Sequence, residues 1–294
     1  MVIAHKHRST SSRKTPKGLL VAVGGNEDKE QDLFILRSTV SLVKKEHGSP
    51  VKVELITTAS EVPGEVADMY RKAFAMINGC RLGVMNIKSR EEAHDPALLR
   101  RLQEADIIFF SGGDQLRITT ILGGSPVLAE VRRRYFNEKV IIAGTSAGAA
   151  AMPEAMIYGG TATEALLKGT VHMTAGIGLI DSVIIDSHFI KRGRFSRLMQ
   201  IICSNPGHVG LGLGEDTGVV IEDNRYVKAI GSGLVVIFDG QDLRYTNITD
   251  VSEGEAIAIE NIRVHTIVKG FGYDLKQRKY LKPEDIECLD LACQ

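Results

Sequence analysis

Residues Val140 to Met152 read VIIAGTSAGAAAM, an apolar run that enters a serine set between glycines and leaves into alanines. Gly144-Thr145-Ser146-Ala147-Gly148 fits G-x-S-x-G, in which the serine sits on a sharp turn between a strand and a helix. Such a turn needs small neighbours, because larger side chains would clash with the tight backbone. It sets the hydroxyl beside free backbone N–H groups, which favour negative charge developing on an attacked carbonyl oxygen. The same pattern also serves a phosphate cradle or a plain structural bend, so Ser146 has to be judged with its partners.

A serine nucleophile needs a base, and the base needs a group to orient it. Of the eight histidines, His5, His7 and His47 lie in a polar tail or on a polar helix end, and His94 lies in a charged loop. His172 and His265 have no neighbouring chemistry, and His208 precedes a strand, which puts it on the opposite rim. His188, in VIIDSHFIKRGRFSRL, follows an apolar strand and so shares a rim with Ser146. Glu215 and Asp216 close VGLGLG and reach that rim as candidate orienting acids. The order Ser…His…acid differs from the Ser…acid…His order of α/β-hydrolases.

Gly112-Gly113, after DIIFF, is either a structural turn or a close backbone approach to a ligand. In the second case one of its N–H groups pairs with that of Ala147 as an oxyanion hole, with Gln115 at its mouth. Arg192, Arg194 and Arg197 follow His188 closely. Guanidinium groups suit bidentate carboxylate recognition, and beside the base they mark a pocket for an acidic substrate rather than a solvated helix face.

These residues need a scaffold that brings strand ends together. LLVAV (19–23), VKVELITT (51–58), LGVMNI (82–87), ADIIFF (105–110) and KVIIAG (139–144) read as buried strands. Stretches of helical period alternate with them, including one from about Gln31 to Glu46 and VADMYRKAFAMI (66–77). Strands apolar throughout and alternating with helices predict an α/β fold, a mostly parallel sheet with helices on both faces. After Gly207, VGLGL (209–213), TGVVIE (217–222), RYVKAI (225–230) and LVVIFD (234–239) read as hairpins or meanders that extend the sheet edge with extra C-terminal strands. We expect residues 19–294 to form one domain behind a disordered basic tail at 1–18. Ligands of open α/β sheets lie beyond the carboxyl ends of the strands. Gly24-Gly25, Gly112 to Gln115, Gly144 to Gly148 and Asp186-Ser187-His188 all fall there, on one rim.

With Lys+Arg and Asp+Glu both at 36, no overall charge draws the 294-residue chain to nucleic acid or to an anionic membrane. Cys80, Cys203, Cys288 and Cys293 have neither disulfide-framework nor zinc spacing and read as reduced thiols. The N-terminal MVIAHKHRSTSSRKTPKG lacks the apolar stretch of a secretory signal. No apolar run reaches the ~18 residues of a membrane span, which makes the cytoplasm the expected location.

Taken together, GGNEDKE (24–30), SGGDQ (111–115), GTSAGA (144–149), DSHFIKRGRFSRL (186–198) and GLGEDTG (212–218) resemble the cyanophycinases, serine peptidases related to peptidase E (aspartyl dipeptidase). The segments occur in that family's order, and the arginine-rich stretch after the histidine favours it over peptidase E. The resemblance implies a class I glutamine-amidotransferase-like (flavodoxin-like) architecture and a homodimer, with no metal or organic cofactor. It assigns Ser146 as nucleophile, His188 as base, Glu215 as the orienting group and Gly113 and Ala147 as oxyanion donors. Gln115, Asp186, Ser187, Arg192, Arg194 and Arg197 then surround the substrate, with Ser187 standing where the family usually has glutamine. The implied substrate is cyanophycin, a poly-aspartate with arginine on each β-carboxyl, cut to β-Asp-Arg dipeptides through an acyl-enzyme. On this reading the arginines take its α-carboxylates and Asp186 its guanidinium. The alternatives are an aspartyl dipeptidase and a non-catalytic α/β ligand-binding protein.

Overall fold

The computed structural model describes residues 14–44, 48–161 and 166–292. Its first half alternates strand and helix: β1 (Leu19–Val23), α1 (Phe34–Ser41), β2 (Val51–Ile56), α2 (Pro63–Ala75), β3 (Cys80–Met85), α3 (Pro96–Glu104), β4 (Ile107–Phe110), α4 (Gln115–Leu122), α5 (Pro126–Asn137) and β5 (Ile141–Thr145). Then come α6 (Ala147–Ala150), β6 (Ala155–Gly160), β7 (Val171–Ala175), β8 (Val183–Asp186), α7 (Phe195–Ser204), β9 (Val209–Leu213), β10 (Thr217–Glu222), β11 (Tyr226–Gly231) and β12 (Leu234–Asp239). The chain closes with β13 (Tyr245–Thr246), β14 (Ile259–Glu260), β15 (Arg263–Val268), β16 (Gly272–Asp274), β17 (Lys279–Leu281) and α8 (Pro283–Ala292).

Nine strands form one sheet in the order β17-β16-β11-β10-β1-β5-β4-β2-β3, parallel from β1 to β3. Its strands are apolar throughout because both faces are covered. Val21, Val23, Ile107 and Phe109 point into a core with Leu36 of α1 and Phe74 of α2. Their neighbours Leu20, Ala22, Ile108 and Phe110 point the other way, into a core with Leu102 of α3, Ile118 of α4 and Val131 of α5. Each such fully buried aliphatic or aromatic side chain contributes about 1.5–3 kcal/mol. That is why a run of alternating outward and inward residues holds no polar face.

The late strands depart from the expected meander. Only β10 and β11 extend the large sheet as an antiparallel hairpin, followed by β16 and β17. β9 and β12 pair with each other in a second sheet, ordered β15-β12-β9-β8. One face of that sheet (Ile185, Leu211, Ile237) joins the core under the large sheet, and the other (Ile184, Val236, Phe238) is covered by Leu198 and Ile202 of α7. Apolar runs this short do not encode which sheet they join, because both faces of either sheet are buried.

The first helix also begins later than its periodicity suggests. The Asp28 carboxylate accepts the N–H groups of Glu30, Gln31 and Leu33, which closes a turn where the helix was expected to start. Those three bonds hold the Asp28 carboxyl at about 2, below the ordinary aspartate range. The expected end of that helix at Glu46 and residues 1–13 of the basic tail lie outside the described residues. At the tail's other end, Gly18 N–H donates to Tyr135 O at 2.9 Å.

Candidate active site

The strand ends β1, β5, β8 and β9 are joined at one rim by backbone hydrogen bonds between their turns. Ser146 N–H donates to Val23 O (2.9 Å), His188 N–H to Gly24 O (2.7 Å) and Asp216 N–H to Gly25 O (3.0 Å). With the Gly112-Gly113 turn after β4, which packs against Ser146, the four turns singled out from the sequence meet.

Ser146 sits between β5 and α6 at φ +52°, ψ −111°, outside the regions an L-residue prefers. Such a conformation costs about 1–3 kcal/mol and persists only where the surroundings hold it. Here the N–H bond to Val23 and the carbonyl bond from Ala150 N–H (2.9 Å) hold it. Gly148 is required by contact, since a Cβ there would lie 2.3 Å from Phe110 O.

Ser146 Oγ lies 2.9 Å from His188 Nε2, and His188 Nδ1 lies 2.7 Å from Glu215 Oε1. A carboxylate only accepts, so the network assigns the ring proton to Nδ1 and leaves Nε2 to accept the serine proton. The hydrogen bond from His188, aided by Lys191 at 3.1 Å, holds the Glu215 carboxyl below its ordinary value against partial burial. Asn26 Nδ2 also donates to Glu215 Oε2 (3.2 Å). Asp216, the other candidate acid, is occupied elsewhere: its oxygens accept Asp28 N–H (3.1 Å) and Ser232 Oγ–H (2.7 Å). His188 itself adopts φ +48°, and its ring lies against Gly25, where a Cβ would come within 2.4 Å of Cε1.

Beside Ser146 opens a cavity of about 300 Å³. Gly113, Gln115 and Ala147 line it, as do Asp186, Ser187 and all three arginines. The Gly112-Gly113 turn runs against the elbow: a Cβ on Gly112 would be 3.3 Å from Ser146 Cβ. Among the described residues, neither Gly113 nor Ala147 donates its N–H to a backbone carbonyl. The Gln115 amide is fixed by donating to Ile157 O at 2.9 Å.

Residues 19–229 match the description "Peptidase family S51". The chain belongs to peptidase family S51. It is 34% identical over 269 residues to a cyanophycinase of Synechococcus elongatus, covering 92% of this chain and 83% of that one. To cyanophycinases of Geminocystis herdmanii and Trichormus variabilis it is 34% and 33% identical, covering 87% and 90% of this chain and 93% and 88% of theirs. The crystal structure of a peptidase from an acI-B1 Actinobacterium has the same fold, with a TM-score of 0.66 at 20% identity over 89% of this chain and 98% of that one.

The arginines of this S51 peptidase have three different environments. Arg197 is buried and grips Asp186 with Nε and Nη2 while Nη1 donates to Gly160 O (3.0 Å). Arg194 is half-buried and donates Nη1 to Asp186 Oδ1 (2.9 Å) and Ser187 O (2.8 Å). Arg192 is exposed and pairs with no carboxylate among the described residues. Both Asp186 oxygens thus already accept from the chain's own arginines, so a substrate guanidinium would have to share or displace them. Burial lowers the Arg194 pKa, with Arg197 and Arg192 adding repulsion against the pull of Asp186. Three arginines against two carboxylates, Asp186 and Asp114, leave the cavity lining with an excess of one positive charge. Because Asp186 is the acceptor that makes Arg197's burial tolerable, Asp186→Asn should lower unfolding stability by roughly 3–5 kcal/mol, read by denaturant titration.

The sequence did not point to Tyr158. It is the extra residue of a β-bulge between Ile157 and Gly159 in the β6–β7 hairpin, and bulges re-aim side chains near sites. The residue is 40% exposed and lines the cavity, and its ring stacks on His172 at 5.8 Å. Among the described residues no cluster of three or more His, Cys, Asp or Glu is placed to hold a metal ion. None of the described helices is long and apolar enough to cross a membrane.

Proposed function

We propose that this S51 peptidase hydrolyses cyanophycin to β-Asp-Arg dipeptides, with Ser146 as nucleophile, His188 as base and acid, and Glu215 orienting the imidazole. The observation that carries the reading is the unbroken chain Ser146 Oγ–His188 Nε2–Glu215 Oε1, at 2.9 and 2.7 Å, at the edge of a cavity with surplus guanidinium. The names of its relatives supply the polymer as substrate.

In this reading Ser146 Oγ attacks an aspartyl backbone carbonyl while Nε2 takes its proton. The N–H groups of Gly113 and Ala147 receive the oxyanion. The protonated imidazole then passes its proton to the leaving amine, and a water activated by the same nitrogen releases the acyl group from Ser146. Arg192 and the free side of Arg194 hold α-carboxylates of the arginine branches. The exposed Tyr158 ring, rather than Asp186, offers a face for their guanidinium groups. Ser187, shorter than glutamine, leaves that wall of the cavity roomier. Residues 19–294 act as one peptidase unit, working as a homodimer in the cytoplasm with no metal or cofactor.

Incubation with purified cyanophycin and mass identification of the soluble product tests this. Release of β-Asp-Arg is the expected result. Cleavage confined to free Asp-X dipeptides would instead make the enzyme an aspartyl dipeptidase.

A further inference from the structure

Glu27 is a buried carboxylate that the proposed chemistry does not use, with 3% of its surface exposed. Three donors converge on it. Tyr70 OH donates to Oε1, Lys29 Nζ lies 3.2 Å from the same oxygen, and Thr145 Oγ1 donates to Oε2 at 2.6 Å. Thr145 ends β5 and immediately precedes Ser146 in the chain, and it too is buried. A buried carboxylate is retained only where its lone pairs are satisfied, and here one of the satisfying groups is joined covalently to the elbow.

The same loop touches the rest of the triad. Gly24 O accepts the His188 N–H, Gly25 backs the His188 ring, Asn26 donates to Glu215, and Asp28 N–H donates to the Asp216 carboxylate beside it. Residues 24–28 thus make five consecutive contacts with the segments that carry Ser146, His188 and Glu215.

We propose that Glu27 is a positioning residue: through the Thr145 hydroxyl it fixes the strained turn at Ser146, while its loop neighbours fix His188 and Glu215. The loop then sets the three groups at hydrogen-bonding distance before substrate arrives. A glutamine at 27 would present only one acceptor oxygen, leaving either Tyr70 or Thr145 facing an amide N–H₂. Loss of the Thr145 anchor lets the elbow relax toward an ordinary backbone conformation, and misplacement of a reacting atom by about 1 Å costs roughly 100-fold in rate.

This inference rests on Ser146 being the nucleophile, so the experiment reads the serine directly as well as turnover. In labelling by a fluorophosphonate probe, Ser146 Oγ forms a bond to phosphorus, fluoride leaves and the hydroxyl proton passes to His188. Thr145→Val should slow both labelling and kcat per labelled site roughly 10- to 100-fold, with KM changed less than about 3-fold. Thr145→Ser keeps the hydroxyl and should stay within about 3-fold of the native rate. Glu27→Gln should lose no more than Thr145→Val does, because its remaining oxygen can serve either Tyr70 or Thr145, and the double variant should be no slower than Thr145→Val alone, because both act through one connection. A role in folding alone would reduce the number of labelled sites, not the rate at each. Equal rates for Thr145→Val and Thr145→Ser, or fully additive losses in the double variant, would overturn the proposal. Failure of the native enzyme to label at Ser146 would instead remove the nucleophile assignment on which it stands.

Discussion

Ser146→Ala should abolish hydrolysis of cyanophycin for practical purposes, with a loss on the order of 10⁴-fold or more, while the protein stays folded. The size of the effect follows from the geometry. Among the described residues Ser146 Oγ is the hydroxyl within hydrogen-bonding reach of His188 Nε2, at 2.9 Å, so removing it leaves the base nothing to activate but water. The fold survives because the elbow is held by backbone groups: the Ser146 N–H and carbonyl bonds to Val23 and Ala150 do not involve the side chain. Only the partly buried hydrogen bond to His188 is lost, worth about 1 kcal/mol. Product release measured by mass spectrometry, beside a denaturant titration, separates the two quantities. A rate unchanged by the substitution would take Ser146 out of the chemistry.

How far such a site could be read from one sequence depends on the strand ends. His188 and Glu215 follow β8 and β9, a parallel pair whose carboxyl ends share a rim, but Ser146 follows β5 of the other sheet, and the backbone bonds of Val23, Gly24 and Gly25 to Ser146, His188 and Asp216 bring the two rims together. Buried strands were equally legible, and β1, β9 and β12 have the bounds their apolar runs suggest, because an unbroken apolar run has no alternative to burial on both faces. What the sequence hid are the relations between distant segments. The three arginines are alike as residues, yet Arg197 is buried on Asp186 and Arg192 is exposed without a carboxylate partner among the described residues. That difference depends on Asp186 and on the Gly160 carbonyl of the β6–β7 hairpin. The hairpin itself has glycine-interrupted, mixed-polarity strands that no period picks out, so Tyr158 had no signal. Glu27 looked like one more charged residue of GGNEDKE, since nothing local says that it pairs with Thr145 across 118 positions.

Glu215→Gln should cost roughly 10³- to 10⁴-fold in kcat, second only to loss of the serine. Glutamine keeps the size but can turn its N–H₂ toward Nδ1, which moves the ring proton to Nε2, where it faces Ser146 and can no longer accept. Asp216 cannot take over, because its oxygens are committed to Asp28 N–H and Ser232. The same substitution has a signature in stability. Bonding to His188 holds the folded-state Glu215 carboxyl below its ordinary value of 4.5, so near that pH the unfolded chain binds more protons than the native one. The contribution of this carboxylate is therefore complete above the ordinary value and is lost as pH falls through the lowered one. In Glu215→Gln that difference in proton binding is gone. The gap in unfolding stability between native enzyme and variant should accordingly narrow as pH falls below about 4.5, in denaturant titrations run across the acid range. A gap that stays constant through that range, together with an unchanged kcat, would mean that Glu215 neither holds His188 nor sets its tautomer.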